Sequence, residues 1–511
     1  MLAKVRSGAV YGVDAYAVEI EVNAGHGEPR VIIVGLPDAA VKESSDRVWT
    51  ALLNSAFLPP RGRTTINLAP ADVKKEGPSF DLPIALGMLA ATGEIARDPL
   101  DGLCVIGELA LSGEVRRVRG VLPIAMQAKA DGCRGILVPA ENADEAAVVD
   151  GLNVYPIETL RQAADFLADK LSIRPYRVDV ATVFSTHSRY DDDFADVKGQ
   201  EYAKRAFEVA VTGGHNILTI GPPGTGKTML AKCVPSILPP MTLDEALDTT
   251  KIHSIAGVLP SRQALVAKRP FRSPHHTVSD AGLLGGGSHP LPGEVSIAHH
   301  GVLFLDEMPE FHRNVLEVLR QPLEDGVVTI SRAAASVTFP CRFMLVAAMN
   351  PCPCGYYGDP KRECRCSPLQ IQKYRNRISG PLLDRIDIHV EVPAVRYQEL
   401  SSAERAEPSE SIRSRIIKGR QIQQERFKGS AKVHCNANMR AKDLHKHCRL
   451  EPEAQDMLKM AITDLNFSAR AYDRILKVSR TIADLDGSET IQTPHIQEAI
   501  QYRSLDRQYW T

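Results

Sequence analysis

The sequence predicts an α/β protein in three parts: a core of alternating buried strands and helices over about 196–395, a mixed α+β region ahead of it at 1–170, and a helical region behind it at 396–511. Three observations predict this. Between 196 and 395, short apolar runs such as "NILTI" and "GVLFL" alternate with helical stretches, as in α/β folds. Residues 1–170 mix β-like runs (Val31–Val34, Thr64–Leu68, Val105–Leu109, Gly135–Val138) with helical stretches such as Leu82–Ala91. Beyond 396 the strand pattern fades, and Ala471, Ile475, Val478 and Ile482 recur at helical spacing. Pro175, a polar stretch and the acidic run Asp191–Asp193 mark 171–195 as a linker.

Composition is that of an ordinary globular chain, 511 residues with 44% hydrophobic and 24% charged, enough for roughly two to four domains. The net charge is −1, so any surface for nucleic acid must be local. No apolar run approaches the ~20 residues of a membrane helix. The N-terminus "MLAKVRSGAVYGVDAYAVEIEV" alternates like a strand and lacks the apolar core and cleavage site of a signal peptide. A cytoplasmic location and no membrane partner are therefore expected. Thiols stay reduced there, so clustered cysteines point to metal before disulfides.

The central region carries the strongest motif. In "NILTIGPPGTGKTMLAK" an apolar strand, Ile217–Ile220, runs into Gly221, Pro222, Pro223, Gly224, Thr225, Gly226, Lys227 and Thr228, and then into a helix. Glycines let backbone N–H groups curl around phosphates, with a helix N-terminus behind them. Lys227 is expected to reach the β/γ-phosphates of ATP, and the Thr228 hydroxyl to ligate Mg²⁺. About 80 residues on, "GVLFLDE" delivers Asp306 and Glu307 to a strand end. Asp306 is expected to hold Mg²⁺ through water and Glu307 to polarise the attacking water. A third strand, "RFMLVAAMN", ends in Asn350, placed to touch the γ-phosphate and that water. Arg385 lies between a helix and a strand in "PLLDRIDIHVEV", and Arg470 starts a helix in "NFSARAYDRILKVSRTIADL".

"PFRSPHHTVSDAGLLGGGSHPLPGEVSIAHHGVLFLDEMPEF", "AAMNPCPCG" and "GPLLDRIDIHVEVP" resemble the ComM/YifB family of magnesium-chelatase-like AAA+ ATPases, and the likeness covers nearly the whole chain. It implies an AAA+ P-loop NTPase core with an α-helical C-terminal lid. It also implies a hexameric helicase that promotes branch migration while incoming single-stranded DNA is integrated during natural transformation. The implied partners are single-stranded and branched double-stranded DNA, a homo-hexamer, and recombinase-coated DNA intermediates. Arg385 would then act as a finger on a neighbouring subunit's ATP, and Arg470 as a sensor of its own subunit's γ-phosphate; a finger given in trans requires a ring.

Residues 1–170 resemble the Lon-protease domain, a fold of the ribosomal S5 type. "KKEGPSFDLPIAL" parallels Lon's nucleophile segment and puts Ser79 at the nucleophile position. "LSGEVRRVRGVLPIAMQAKADG" parallels the segment of Lon's catalytic lysine, whose position falls near Leu122; the next lysine is Lys129. A serine without an adjacent base is a poor nucleophile. The region is therefore expected to be non-proteolytic, a scaffold or a DNA-facing collar.

Two insertions of this ATPase group project into the ring pore. One is "AGLLGGG", Ala281 to Gly287, where Gly285, Gly286 and Gly287 suit a flexible tip that tolerates close backbone approach. The other is the hairpin "VVTISRAAASVTF", with Arg332 near its turn, a cation placed to meet phosphates without reading sequence.

The stretch 350–367 holds Cys352, Cys354, Cys364 and Cys366 as two C-x-C pairs. Four thiolates would give a closed tetrahedral Zn²⁺ site contributing on the order of 10 kcal/mol to a knuckle that lacks a core. Lys361, Arg362, Arg365, Lys373, Arg375 and Arg377 crowd around it, which would make it a second grip on DNA. Unliganded thiols and a redox role are the other readings. Two further functions share parts of this sequence: a magnesium-chelatase-type motor acting on a protein partner, and a Lon-like ATP-dependent protease.

Overall fold

The computed structural model describes residues 2–187, 190–287, 290–331, 336–359, 362–395, 406–430, 433–465 and 468–505. The chain forms two compact units that do not follow chain order. The first comprises Met1–His187, Leu243–Ala267 and Ser331–Phe339; the second comprises Ser188–Thr242, Lys268–Ile330 and Pro340–Thr511. Among the described residues no helix is long and apolar enough to cross a membrane.

In the first unit a seven-stranded sheet has the order Arg30–Val34, Arg63–Ala69, Asp14–Ala24, Leu2–Tyr11, Leu103–Val105, Gly135–Pro139, Asn153–Ile157. Leu2–Tyr11 and Asp14–Ala24 pair antiparallel from Leu2↔Asn23 to Tyr11↔Asp14, turning at Gly12 with φ +66°. The helix Asp81–Thr92 is apolar on every side and buried from Asp81 to Ala91, as a central helix should be. Its one charge, Asp81, is fully buried. The Arg47 Nε donates to it at 2.9 Å, the Leu109 N–H at 3.3 Å, and Ser44 Oγ also donates to it. Burial pushes the Asp81 carboxyl up, against the pull of Arg47 and Ser44.

The sequence places 243–267 in the ATPase core, but these residues pack into the first unit. Ser254 Oγ and the Leu122 N–H, the latter at 2.8 Å, both donate to the buried Glu145 carboxylate. Arg117 donates to Leu259 O and, at 3.2 Å, to Ser261 Oγ. The expected linker 171–195 is folded at both ends. Val178, Val180, Val183 and Phe184 pack on Val148 and Leu265. Asp193, the last residue of the acidic run in that linker, accepts from the N–H groups of Ala195 and Ser409 at 2.8 and 2.9 Å.

The second unit is built on a five-stranded sheet of order Phe271–Arg272, Val302–Leu305, Met344–Met349, Ile217–Ile220, Ile388–Glu391, parallel throughout. Its central strands are wholly buried, which explains their unbroken apolar runs. Because all strands run the same way, Gly221, Asp306 and Asn350 emerge at one edge. Helices Ser409–Arg426, Ala441–His447, Pro452–Leu465, Ala469–Leu485 and Thr493–Gln501 make the C-terminal region. Ala471, Ile475, Val478 and Ile482 are all buried there.

Asp81→Ala should leave Arg47 facing a desolvated pocket and destabilise the first unit by about 3–5 kcal/mol. Asp81→Leu combined with Arg47→Met removes both charges and should recover most of that loss. Hydrogen exchange of the Asp81–Thr92 amides in the two variants checks this: equal protection in both would mean that the buried pair is not what holds this helix.

Candidate nucleotide site

The phosphate loop follows from its strand. Ile220 ends a buried strand, and Gly221 passes so close to the end of the adjacent strand Ile388–Glu391 that a Cβ there would lie 2.2 Å from Val392 O. Gly226 has φ +88° and turns the chain into the helix Lys227–Ile237; a Cβ on it would meet nothing within 4 Å. The loop backbone thus borders open space at the helix N-terminus, where N–H groups lack intrahelical partners. Thr225 Oγ1 donates back to Pro222 O at 3.1 Å and braces the turn.

Lys227 is only 8% exposed. Its ammonium donates to Gly221 O at 2.7 Å, Pro222 O at 2.8 Å and Asn350 Oδ1 at 3.3 Å, all neutral oxygens. Burial, only partly offset by Asp306 and Glu307, brings its pKa down to about 8. A buried cation held only by dipoles is the half-site that a phosphate completes. Thr228 Oγ1 donates to Asp306 Oδ2 at 2.8 Å, and the Glu307 N–H donates to Asp306 Oδ1 at 2.9 Å. Hydroxyl and carboxylate together offer the hard oxygen donors that Mg²⁺ prefers. These residues fit Mg-ATP. Lys227, Thr228, Asp306, Glu307 and Asn350 are thus brought to one strand edge.

Arg385 and Arg470 are placed elsewhere. Arg385 donates to Pro381 O at 2.7 Å and pairs with Glu324, while Arg470, 69% exposed, pairs with Asp384 at 2.9 Å. Among the described residues, neither bonds to the phosphate loop, Asp306, Glu307 or Asn350. Between them lies a buried network. His215 Nδ1 meets Asp387 Oδ2 at 2.9 Å, and its Nε2 meets Thr481 Oγ1 at 2.8 Å; Arg474 also pairs with Asp387. Burial and then the nearby Lys477, Arg420 and Arg474 hold the His215 pKa well below the usual range, so it bridges as a neutral ring.

The four cysteines converge. Cys352 Sγ is 3.4 Å from Cys354 Sγ and 3.7 Å from Cys364 Sγ, Cys354 to Cys364 is 3.6 Å, and all four sulfurs lie within 4.8 Å of one another. Zinc–sulfur bonds of about 2.3 Å in a tetrahedron put sulfurs about 3.8 Å apart. The shortest contact is far longer than a ~2.05 Å disulfide bond. The Tyr356 N–H pulls the Cys354 thiol down to about 6, toward the thiolate a metal requires, while the Cys352, Cys364 and Cys366 thiols are raised, so the case for a metal is the convergence of the sulfurs. The geometry therefore fits a thiolate metal such as zinc.

The knuckle also touches the phosphate loop. At Gly355, with φ +85°, a Cβ would lie 2.7 Å from Pro223 Cδ. Of the basic residues expected to face outward, Arg375 instead turns in. It is buried, its Nε donates to Pro351 O at 3.2 Å, and its guanidinium lies 5.0 Å over the Tyr357 ring. Arg377 pairs with Glu310 at 2.7 Å.

The expected pore elements are described in part. Gly285 and Gly286 pair as a short strand with Pro292 and Leu291, and Gly287 turns with φ +103°. The glycines thus serve a close backbone approach, since a Cβ on Gly285 would lie 2.3 Å from Leu291 O, rather than a wholly flexible tip. Arg332 lies outside the described residues, between the strands Val327–Ser331 and Ser336–Pro340.

In the first unit, Leu122 is fully buried among apolar side chains, and Lys129 is exposed beside Gly151. Among the described residues Ser79 Oγ has no hydrogen-bond partner. One residue near the nucleotide site escapes the sequence reading: His276, whose Nδ1 lies 4.0 Å from Glu307 Oε2. Only the doubled histidine in "SPHHT" hints at it.

Three family descriptions match successive stretches: "Subunit ChlI of Mg-chelatase" over 20–142, "Magnesium chelatase, subunit ChlI" over 193–400, and "Magnesium chelatase, subunit ChlI C-terminal" over 406–503. The chain is 46% identical over 510 residues to Competence protein ComM of Haemophilus influenzae, spanning 99% of this chain and 98% of that one. It is 43% identical over 508 residues to the protein named Uncharacterized protein YifB of Escherichia coli, spanning 99% and 98%. Lon protease 2 of Bacillus subtilis is 26% identical over 176 residues, 31% of each chain. With a parallel α/β core, a helical C-terminal region and Lon-like similarity, the chain belongs to the ComM/YifB family of magnesium-chelatase-like AAA+ ATPases.

Proposed function

We propose that the protein is a homo-hexameric, cytoplasmic DNA motor. It would hydrolyse ATP with Mg²⁺ to drive branch migration on single-stranded and branched double-stranded DNA, including recombinase-coated intermediates, in natural transformation and homologous recombination. The observation that carries this reading is the convergence of Lys227, Thr228, Asp306, Glu307 and Asn350 at one strand edge, in a chain alike end to end with a protein named for competence.

Bound Mg-ATP would supply the phosphoryl group and the divalent charge that neutralises it. Lys227 would exchange its two loop carbonyls for phosphate oxygens, restoring a counter-charge to a desolvated ammonium. Thr228 and Asp306 would hold the metal. Glu307 would take the proton of the attacking water, which Asn350 would orient. Arg385 would leave Glu324 to enter the next protomer's site, and Arg470 would leave Asp384 to sense the γ-phosphate of its own. Gly285, Gly286, Gly287 and Arg332 would face DNA in the pore. Zn²⁺ on Cys352, Cys354, Cys364 and Cys366 would staple the knuckle.

Glu307→Gln should lower phosphate release by at least about 100-fold while keeping nucleotide binding. Lys227→Ala should lose both. Neither variant should displace a labelled strand from a forked or three-strand substrate in the presence of ATP. Wild-type protein that hydrolyses ATP but displaces no strand would favour the chelatase-type motor acting on a protein partner.

Elemental analysis should find about one zinc per chain, removed by Cys352→Ser with Cys354→Ser. Because Gly355 packs on Pro223, the same variant should weaken nucleotide binding roughly tenfold, a loss of about 1.4 kcal/mol. Metal-free wild-type protein with four freely titrating thiols would rule the zinc site out.

A further inference from the structure

The short helix Ala441–His447 in the C-terminal region is seated by one side only. Leu444, in its middle, and Cys448, just after it, are buried in the core of the second unit. Cys448 Sγ donates to Leu476 O at 3.8 Å, and the His447 ring stands edge-on to Phe427 with centroids 5.6 Å apart. At about 100° of turn per residue, Lys442 and Lys446 fall almost opposite Leu444 and lie one turn apart, about 6 Å along the axis. Both are exposed, and so are Arg440 and Arg449, which flank them at the two ends of the helix.

The carboxylates nearest in the chain are committed elsewhere. Asp443 Oδ2 accepts from the Arg440 N–H at 3.0 Å. Glu451 Oε1 accepts from Thr490 Oγ1 at 2.9 Å and from Gln492 Nε2 at 3.2 Å. Among the described residues, none of Arg440, Lys442, Lys446 and Arg449 makes an ion pair. Burial, then Lys446 and Arg426, lower the His447 pKa against the pull of Asp443, as a local excess of positive charge should. Helix stability does not account for this arrangement. Lys446 in the last turn suits the helix dipole, but Lys442 in the first turn opposes it. Arg440 holds the N-cap position, where Ser, Thr, Asp or Asn is preferred. Cations kept against local preference and without an internal counter-charge point to a partner outside the chain.

We infer that the outward face of this helix, Lys442 and Lys446 with Arg440 and Arg449 beside them, is a docking surface for the phosphate backbone of DNA. The inference rests on the DNA-motor reading and adds to it a contact surface on the C-terminal region. Duplex DNA carries one charge per about 1.7 Å of its axis, so two ammoniums about 6 Å apart meet a single run of backbone. Lysine ammoniums on flexible stems pair with phosphates as point charges and read no base edge. The face also lacks what a protein partner would grip. Its other exposed side chains between 440 and 449 are Ala441 and His445, with no large apolar anchor. Polar and strongly positive is the character of a surface for nucleic acid. With a net charge of −1 over the whole chain, this cluster is a local feature and not part of a general excess.

The test is fluorescence anisotropy of a labelled forked duplex with the full-length protein, read across about 0.05 to 0.2 M salt. Lys442→Ala with Lys446→Ala should weaken binding at least roughly tenfold at about 0.1 M salt. It should also lower the slope of log K against log salt by at least about 1.8 units, two phosphate contacts for each engaged protomer. Lys442→Arg with Lys446→Arg keeps the charge and should bind as wild type does. ATP turnover without DNA should be unchanged in both, which shows that the fold and the nucleotide site are intact. Wild-type affinity and slope in the alanine variant overturn the inference and leave the face to an acidic protein. An arginine variant that binds as poorly as the alanine one overturns it too, because the effect is then not one of charge. Wild-type protein that binds no DNA at any of these salts defeats the functional reading, and the docking surface falls with it.

Discussion

A desolvated positive charge without a carboxylate of its own organises the second unit. Lys227 is buried among neutral oxygens, and burial depresses its pKa to about 8. The protein tolerates this because the parallel sheet leaves it little choice. Strands Ile217–Ile220, Val302–Leu305 and Met344–Met349 end at one edge, so the lysine, the Asp306–Glu307 pair and Asn350 are delivered together by topology. The anion that would satisfy the charge comes from outside the chain.

The cysteine knuckle belongs to the same assembly. It leaves the sheet directly after Asn350, packs Gly355 on Pro223, and continues into the helix Pro368–Arg375, whose last residue returns to Pro351 O. Arg377 then reaches Glu310 and Pro309 O in the turn behind Glu307. Any metal on these sulfurs therefore bears on both nucleotide motifs. A reading of the knuckle as only a basic DNA grip misses this, because sequence shows that arginines are present but not which way they turn. Arg375 pairs with a carbonyl and an aromatic face rather than with solvent, and neither partner has a signature in spacing.

The parts legible in the sequence are those where one residue type has one physical use. Glycines at a strand–helix junction, a Lys-Thr pair, acidic residues closing an apolar run and two C-x-C pairs each admit few alternatives, and the structure places each of them together. What was not legible depends on partners far apart in the chain. The helix Leu243–Ala256 buries Ala246, Thr249, Thr250 and Ser254 along with Ile252 and Ile255, a face too small and polar to announce a core. Its docking is specified by Glu145, a buried carboxylate more than a hundred positions earlier. Gly285 and Gly286 read as a flexible tip because glycine is permissive, yet here the same absence of Cβ allows two backbones to meet. His276 is a lone histidine pair in a loop, and only the fold brings it to Glu307.

The segment 384–387 shows how the lid and the core share one set of contacts. Asp384 pairs with Arg470, Arg385 with Glu324, and Asp387 with His215 and Arg474. The helix Ala469–Leu485 is thus held at Arg470, Arg474 and Thr481, and two of those anchors are fixed by residues on either side of Arg385. The inner anchors are buried and the ring of His215 is neutral, so they are costly to break. The outer pair, Arg470 with Asp384, is exposed and weak, worth at most about 1 kcal/mol. The Arg470 end is therefore the most weakly held of these three anchors. Under the proposed mechanism that is the end that must reach the nucleotide, and Asp387, the buried anchor of Arg474, lies two residues from the arginine offered to the next protomer.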